Sequence, residues 1–201
     1  MVSAAAELAR RLGRDAEAAR RLWAMAKPLA GTLAEAYLHA RGITDLRRCE
    51  ALRFHPRCWY RGDDDDLRDQ ARDAWPALIA AVTALDGAVT GVHRTWLDPA
   101  SACKAPVSTP RRAMGLLLGN AVRFGRAVDV MIAGEGIETI LSLRQIMPSM
   151  PAAAALSANH LAVLELPGGL RRLYVARDND PAGHVRWNSW PTAHTPPVSR
   201  C

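Results

Sequence analysis

The pattern of apolar and polar positions predicts helices at the beginning of the chain. Residues 3–27 are rich in Ala, Leu and Arg and place their larger apolar side chains on one stripe, which predicts an amphipathic helix interrupted near Gly13. Residues 32–35 (TLAE) form a capping box. A short helix is therefore predicted over residues 33–41, with Gly42 as its left-handed terminator.

The middle of the chain has the two-residue period of strands. Residues 77–83 and 89–96 are strand-like, and Asp86-Gly87 between them is a strong turn signal, so they predict a β-hairpin. Residues 52–56 favour an irregular strand, and residues 115–124 contain a second turn signal. The first part of the chain is therefore predicted to be a small α+β subdomain.

The last third alternates between apolar runs and helical patterns. Residues 128–133, 152–156 and 173–176 are short and apolar, which is typical of strands covered on both faces. The segments between them, 137–147 and 159–164, favour helices. Strand, helix, strand, helix, strand is the order of a parallel α/β sheet, and α/β is the fold class that we predict.

These patterns suggest a division into residues 1–125 and residues 126–201, with a linker that begins at Gly125. From residue 181 onward the chain has no acidic residue, and its prolines exclude a continuous helix or a central strand. We therefore expect the parallel sheet to be shortened at its C-terminal end. The four aspartates at 63–66 cannot be buried together and predict a solvated loop.

Composition narrows the class of protein. Apolar residues make up 49% of the chain, which is sufficient for a packed core, and no apolar run approaches the roughly 20 residues that span a bilayer. The start lacks the pattern of a signal peptide, so we expect a cytoplasmic protein without membrane contact. The four cysteines form no CxxC pair, which argues against a zinc ribbon. The net charge of +6 is compatible with a polyanionic partner but does not require one.

Acidic residues follow two of the predicted parallel strands. Glu135 stands between two glycines after the first strand, and Asp178 and Asp180 follow the last one. Ligands of open α/β sheets bind at the carboxyl ends of strands, and a set of carboxylate oxygens favours Mg²⁺ or Mn²⁺ over zinc. Two simpler readings remain open: Glu135 as a turn residue at a helix start, and Asp180 as a helix N-cap.

Together these residues resemble the Toprim domain of bacterial-type DNA primases, especially the compact phage and plasmid versions. The resemblance rests first on residues 134–139 (GEGIET) and 178–183 (DNDPAG). It extends upstream to 36–43 (AYLHARGI), 86–94 (DGAVTGVHR) and 104–110 (KAPVSTP), which are similar to segments of the primase N-terminal catalytic subdomain. The resemblance implies a Toprim-like parallel sheet with flanking helices.

The resemblance also implies site residues. Glu135, Asp178 and Asp180 would be catalytic residues that hold divalent ions. Arg94, Lys104 and Arg123 would bind nucleotides or nucleic acid across a cleft from the acidic residues. Without the resemblance, Arg94 and Lys104 read equally well as exposed hairpin residues. Glu138, three positions after Glu135, could reach the site from the first turn of its helix, but we expect it to lie on an exposed helix face. We expect His93 to have a structural role.

The implied activity is metal-dependent synthesis of short RNA primers from ribonucleoside triphosphates on single-stranded DNA. The chain has neither a primase-type zinc module nor a GxxxxGK[ST] loop, so a separate zinc-module or helicase protein is the expected partner. Two alternatives stay open. One is a Toprim-type metal-dependent nuclease. The other is an inactive remnant of a primase that binds nucleic acid or a partner.

Overall fold

A computed structural model of the protein describes residues 3–61 and 74–176. Within these ranges the chain forms four helices and eight strands. The helices are α1 (Ala4–Met25), α2 (Leu33–His39), α3 (Ile137–Ile146) and α4 (Ala158–Ala162). The strands are β1 (Leu52–Trp59), β2 (Ala74–Thr83), β3 (Val89–Trp96), β4 (Arg111–Gly115), β5 (Val122–Phe124), β6 (Val130–Gly134), β7 (Ala152–Ala154) and β8 (Arg172–Ala176). The acidic run at 63–66 lies outside the described residues.

Helix α1 is continuous, and the predicted interruption at Gly13 is wrong. It begins at Ser3, whose hydroxyl accepts a hydrogen bond from the Ala6 amide, and it runs for 22 residues. A glycine inside a helix costs about 1 kcal/mol relative to alanine. Packing of the later half of the helix offsets that cost, because Ala16 and Ala19 are buried there.

Helix α2 begins at the predicted capping box, but the box closes differently. The Thr32 hydroxyl accepts from the Glu35 amide at 3.4 Å, as expected. The Glu35 carboxylate accepts from the amide of Gly31, at 2.7 Å, rather than from that of Thr32. The helix ends at His39, and Gly42 follows with φ of 74°. A positive φ at this position is the reason for glycine.

The first four strands form an antiparallel sheet in the order β1-β2-β3-β4. The predicted hairpin is confirmed, with β2 and β3 joined through Asp86 and Gly87. Strand β4 was not predicted. It pairs so closely with β3 that a Cβ on Gly115 would lie only 2.4 Å from the carbonyl oxygen of Thr90.

Alternation of side chains gives this sheet two distinct faces. The α1 face packs against helix α1 and contains Ile79, Val92 and Trp96. The opposite face contains Leu78 and Ala80 and packs towards α2 and α3; we call it the cleft face. The paired registers of the strands then assign every other residue of β3 and β4 to one face or the other.

The second sheet has the order β5-β7-β6-β8. Strands β7 and β8 run parallel to β6 on either side of it, which confirms the predicted parallel sheet with flanking helices. Strand β5 is antiparallel to β7. It precedes Gly125, so the second sheet uses residues on both sides of the predicted linker, and the division at 125 and 126 stays a prediction. Helix α4 is capped by Ser157 rather than at the predicted Asn159.

The two sheets share one buried core. It joins Tyr37 and Leu38 of α2 to Ile140 and Leu141 of α3 and to the cleft face of the first sheet. The side chain of Gln145 on α3 adds polar contacts, because it accepts from the amides of Thr44 and Asp45 and donates to the Gly42 carbonyl. Helix α3 is therefore held firmly against the N-terminal part. Over the described ranges, no helix is long and apolar enough to cross a membrane.

Candidate active site

Glu135 lies at the carboxyl edge of the parallel sheet. Strand β6 ends at Gly134, opposite Ala154 of β7 and Ala176 of β8, and Gly136 caps the helix that follows. The carbonyl of Glu135 accepts from the Leu156 amide at 2.9 Å, which fixes the backbone there. Gly134 is required for the close approach of the strands, because a Cβ on it would lie 3.1 Å from the Ala176 Cβ. The Glu135 side chain is partly exposed at this edge.

The other two predicted metal ligands, Asp178 and Asp180, lie outside the described residues. Strand β8 ends at Ala176, at the same edge as Glu135, and Asp178 follows two positions later in the sequence. Over residues 3–61 and 74–176, no group of three or more His, Cys, Asp or Glu side chains could hold a metal ion. The three residues together offer only carboxylate oxygens, which suit Mg²⁺ or Mn²⁺.

Two basic residues lie on the cleft face of the first sheet. Lys104 bridges to Leu97 just after β3, and Arg111 at the start of β4 pairs with Thr95. Burial lowers the pKa of Lys104, and the charge of Arg111 lowers it further. The two side chains therefore lie on the same face and repel each other, and neighbouring like charges of this kind favour an anion.

Glu138, in the first turn of α3, is influenced by the charges of this basic region. Its carboxylate accepts a hydrogen bond of 2.8 Å from the Tyr37 hydroxyl. Burial by itself would raise the pKa of Glu138, but the bond from Tyr37, a backbone hydrogen bond and the charges of Arg111 and Lys104 hold it below its usual value. The expectation of an exposed face for Glu138 is wrong, because α2 packs over this turn and half-buries the side chain.

Tyr37 and its neighbours complete the wall of the site. Tyr37 is fully buried, and burial, with the nearby Glu138 carboxylate, raises its pKa well above the usual range. The guanidinium of Arg41 stacks on the Tyr37 ring, 4.1 Å from its centroid. His93 lies on the cleft face beside Ala80 and Ala113. Burial lowers its pKa to about 4, and its buried Nδ1 finds no hydrogen-bond partner within the described part of the chain.

Arg94 lies on the α1 face, opposite Lys104 and Arg111. It pairs with Ile79 and Arg112, and its guanidinium is 4.9 Å from the centroid of the Trp96 ring. Burial lowers its pKa, and its buried Nε has no hydrogen-bond partner among the residues described. The structure thus does not bring Arg94 and Lys104 to the same face of the sheet.

Arg123 is engaged with the backbone between the two sheets. Its Nε donates to the Thr83 carbonyl at 3.3 Å, and one terminal nitrogen donates to the Glu165 carbonyl at 2.9 Å. Burial lowers its pKa. These bonds tie β5 to the end of β2 and to the segment after α4, and they occupy donors that a phosphate would need.

The structure therefore brings polar side chains of the first sheet, α2 and α3 into one region, which we call the cleft. Its residues are Tyr37, Arg41, His93, Lys104, Arg111 and Glu138, with Glu135 one turn before Glu138. Arg111 was missed as a site residue, and Glu138 was considered for the site but expected on an exposed face. Alternation of side chains along a strand is the signal that assigns Arg111 to a face of the sheet. That signal applies only once the strand that begins at Arg111 is known.

Comparisons with solved structures agree with this architecture. The catalytic domain of DnaG primase bound to single-stranded DNA superposes with a TM-score of 0.55 at 16% identity, over 92% of this chain and 66% of that one. The Aquifex aeolicus primase, with its zinc-binding and RNA polymerase domains, gives 0.53 at 16%, over 94% and 52%. A DNA primase domain from Pseudomonas aeruginosa gives 0.52 at 17%, over 79% and 58%.

Two family models match successive parts of the chain. A Toprim domain model matches residues 130–193, which agrees with the fold that the chain shares with the primase catalytic cores. The chain belongs to the family described as a domain of unknown function, DUF7146, whose model matches residues 13–124. No curated protein matches. The chain spans about half to two thirds of the length of the solved primases that it resembles.

Proposed function

We propose that the protein is a primase-type nucleotidyltransferase, which joins ribonucleoside triphosphates into short RNA primers on single-stranded DNA. One observation carries the proposal. The acidic end of a primase-type Toprim sheet, at Glu135, lies three positions before Glu138, and Glu138 is held by Tyr37 where the charges of Arg111 and Lys104 on the first sheet act on it. Nucleotidyl transfer needs both kinds of group, because the phosphate charge must be neutralised while the reacting oxygens are held in place.

In this proposal Glu135, Asp178 and Asp180 hold Mg²⁺ or Mn²⁺. A bound ion would polarise the triphosphate and the attacking 3′-hydroxyl. Glu135 supports the assignment by its position at the carboxyl end of the central strand β6, where ligands of such sheets bind. The two aspartates are assigned from the sequence.

The cationic residues orient the phosphates. Lys104 supplies a point charge, and Arg111 supplies a planar fork that can bind two phosphate oxygens at once. Arg41 is held by stacking on Tyr37 and adds a third cation at the edge of the cleft. Arg94 and Arg123, which the resemblance implies as further contacts, have less support than Lys104, because one lies on the α1 face and the other binds backbone carbonyls.

The partners follow from the same proposal. Single-stranded DNA is the template, and a separate helicase or zinc-module protein delivers it. A location in the cytoplasm, where replication substrates are present, is part of the proposal as well.

Primer synthesis tests the proposal. Labelled ribonucleotides, single-stranded DNA and Mg²⁺ or Mn²⁺ are incubated with the wild type, with Glu135→Gln and with Asp178→Asn. Short RNA products are expected from the wild type and from neither of these two variants, because each variant removes a carboxylate charge while keeping the shape of the side chain. Glu17→Gln is the matched control, since Glu17 is an exposed acid on α1 that pairs with Arg21.

Other outcomes distinguish the alternatives. Shortened DNA without RNA products would favour a metal-dependent nuclease, because a Toprim site can serve cleavage as well as synthesis. Binding of DNA by folded wild-type protein, with neither product, would contradict the proposal and favour an inactive binding role.

A further inference from the structure

A hydrogen bond between Tyr37 and Glu138 lies at one side of the cleft. It joins α2 to α3 across 101 positions of the sequence. Tyr37 is fully buried, and Arg41 covers its ring, so its hydroxyl is a donor with a fixed position. The Glu138 carboxylate is therefore restrained at one place in the cleft, at the side nearest α2.

Glu138 also lies near cations with which it forms no direct ion pair. The charges of Arg111 and Lys104 both lower its pKa. Over the described ranges, however, no nitrogen of either side chain comes within ion-pair distance of the carboxylate. The negative charge thus acts on the two cations across a gap, while a buried tyrosine holds it.

His93, on the sheet side of the cleft, adds no charge near these three residues. His93 faces Glu138, Arg111 and Lys104 from β3, and burial lowers its pKa to about 4, so it is neutral near neutral pH. Its Nδ1 is buried without a partner in the described part of the chain, which leaves one polar atom for a ligand or water. Arg94, the next residue, points to the opposite face of the sheet.

We propose that Glu138 is an internal anion that competes with phosphate groups for Lys104 and Arg111, and that Tyr37 holds it back from them. The inference rests on the phosphate-binding role proposed above for these two cations. Two opposing effects then set the affinity for phosphates. The tyrosine hydrogen bond keeps the two cations available, and the negative charge of the carboxylate weakens the binding of any anion to them. Glu138 is a positioning residue and a determinant of affinity in this proposal.

Two isosteric variants separate the two opposing effects. Sodium tripolyphosphate is titrated by calorimetry into the protein at low salt, in buffer stripped of divalent ions. Glu138→Gln removes the charge and keeps an acceptor for Tyr37, so tripolyphosphate should bind about fivefold more tightly. Tyr37→Phe releases the charged carboxylate towards Lys104 and Arg111, so binding should weaken about fivefold.

Opposite signs are the signature of the proposal. A residue with a merely structural role would weaken binding in both variants, and that result would overturn it; so would unchanged affinity in Glu138→Gln alone. The control is Glu17→Gln, which removes one negative charge from the exposed surface of α1. It should change the affinity less than about twofold, because the charge is screened there.

The experiment also separates this inference from the proposed function. Tripolyphosphate binding by the wild type that Glu138→Gln leaves unchanged would contradict the internal anion alone. Absence of binding in both proteins would contradict the phosphate role of Lys104 and Arg111 as well. Primer synthesis is measured independently of either result. Far-ultraviolet circular dichroism of each variant confirms that the fold is retained before the affinities are compared.

Discussion

The two faces of the first sheet both carry arginines, but they use them differently. On the α1 face the guanidinium groups lie over aromatic rings: Arg53 is 4.2 Å from the Trp23 ring and Arg112 is 5.6 Å from the Tyr60 ring, in addition to Arg94 over Trp96. On the cleft face, Arg111 lies near the Glu138 carboxylate instead. One face uses cations to pack a helix, and the other presents them to an acidic site.

Arg111 and Arg112 show how small the difference in sequence is. They are adjacent in β4, yet Arg111 pairs with Thr95 on the cleft face and Arg112 pairs with Arg94 on the α1 face. Because side chains alternate along a strand, a shift of one residue exchanges these roles. A basic residue near a catalytic motif is therefore informative only once its face is known.

Removing each of the two arginines in turn tests most directly whether the two faces differ in function. Arg111→Ala is expected to lower primer synthesis, measured as kcat/KM for the ribonucleotide, by about 100-fold, because in the proposed mechanism it removes a donor that neutralises phosphate charge in the transition state. Arg112→Ala, on the other face, is expected to stay within about threefold of the wild type. Equal losses in the two variants would contradict a functional difference between the faces.

Acid titration probes the interior of the cleft face. Burial depresses the pKa of His93 to about 4, below its unfolded value, so the unfolded chain binds the proton first and stability is lost as the pH falls through the interval between those values. The free energy of unfolding should fall by about 2 kcal/mol from about pH 7 to about pH 5 on account of His93.

Urea denaturation across that interval measures the effect. His93→Gln should flatten the pH dependence, while His39→Gln, at the exposed end of α2, should leave it as in the wild type. Glu138, whose pKa is depressed, adds a loss of the same sign at lower pH. A slope that persists in His93→Gln would show that His93 is not buried in its neutral form.

Lys104→Gln sharpens the distinction between binding and chemistry on the cleft face. Under the proposed function, loss of the Lys104 point charge should raise the KM for ribonucleoside triphosphates by about tenfold with a smaller change in kcat. Lys27→Gln, which removes a charge from an exposed loop position, is the control. A loss confined to kcat would mean that Lys104 acts on the reacting phosphate rather than in binding the nucleotide.

The smallest effect is expected on the α1 face. Arg94→Met should leave the free energy of unfolding within about 1 kcal/mol of the wild type, because loss of the stacking on Trp96 is offset by relief of a buried charge without an acidic partner in the described part of the chain. Primer synthesis should be unchanged. A large loss of activity at normal stability would instead support a nucleotide-binding role for Arg94, which the family resemblance implies.

Much of the fold could be predicted from local pattern. The hairpin of β2 and β3 followed from the turn at Asp86-Gly87, and the order of β6, α3 and β7 followed from apolar runs separated by a helical period. Strand β4 could not be recognised, because it is short and starts with two arginines whose faces are decided only by pairing with β3. Helix α1 continues through Gly13, since its packing offsets the local cost.

The sequence by itself determined where acids follow apolar strands, so Glu135 could be placed at the carboxyl edge of a parallel sheet before any coordinates were known. It also determined that His93 and Arg94 point to opposite faces, because alternation is a property of the strand. Only the tertiary structure decided which face meets the acidic helix, and it brought Glu138 to Tyr37 across 101 positions. That choice depends on how α1, α2 and α3 bury their apolar surfaces against the sheet, a long-range balance that no local pattern encodes.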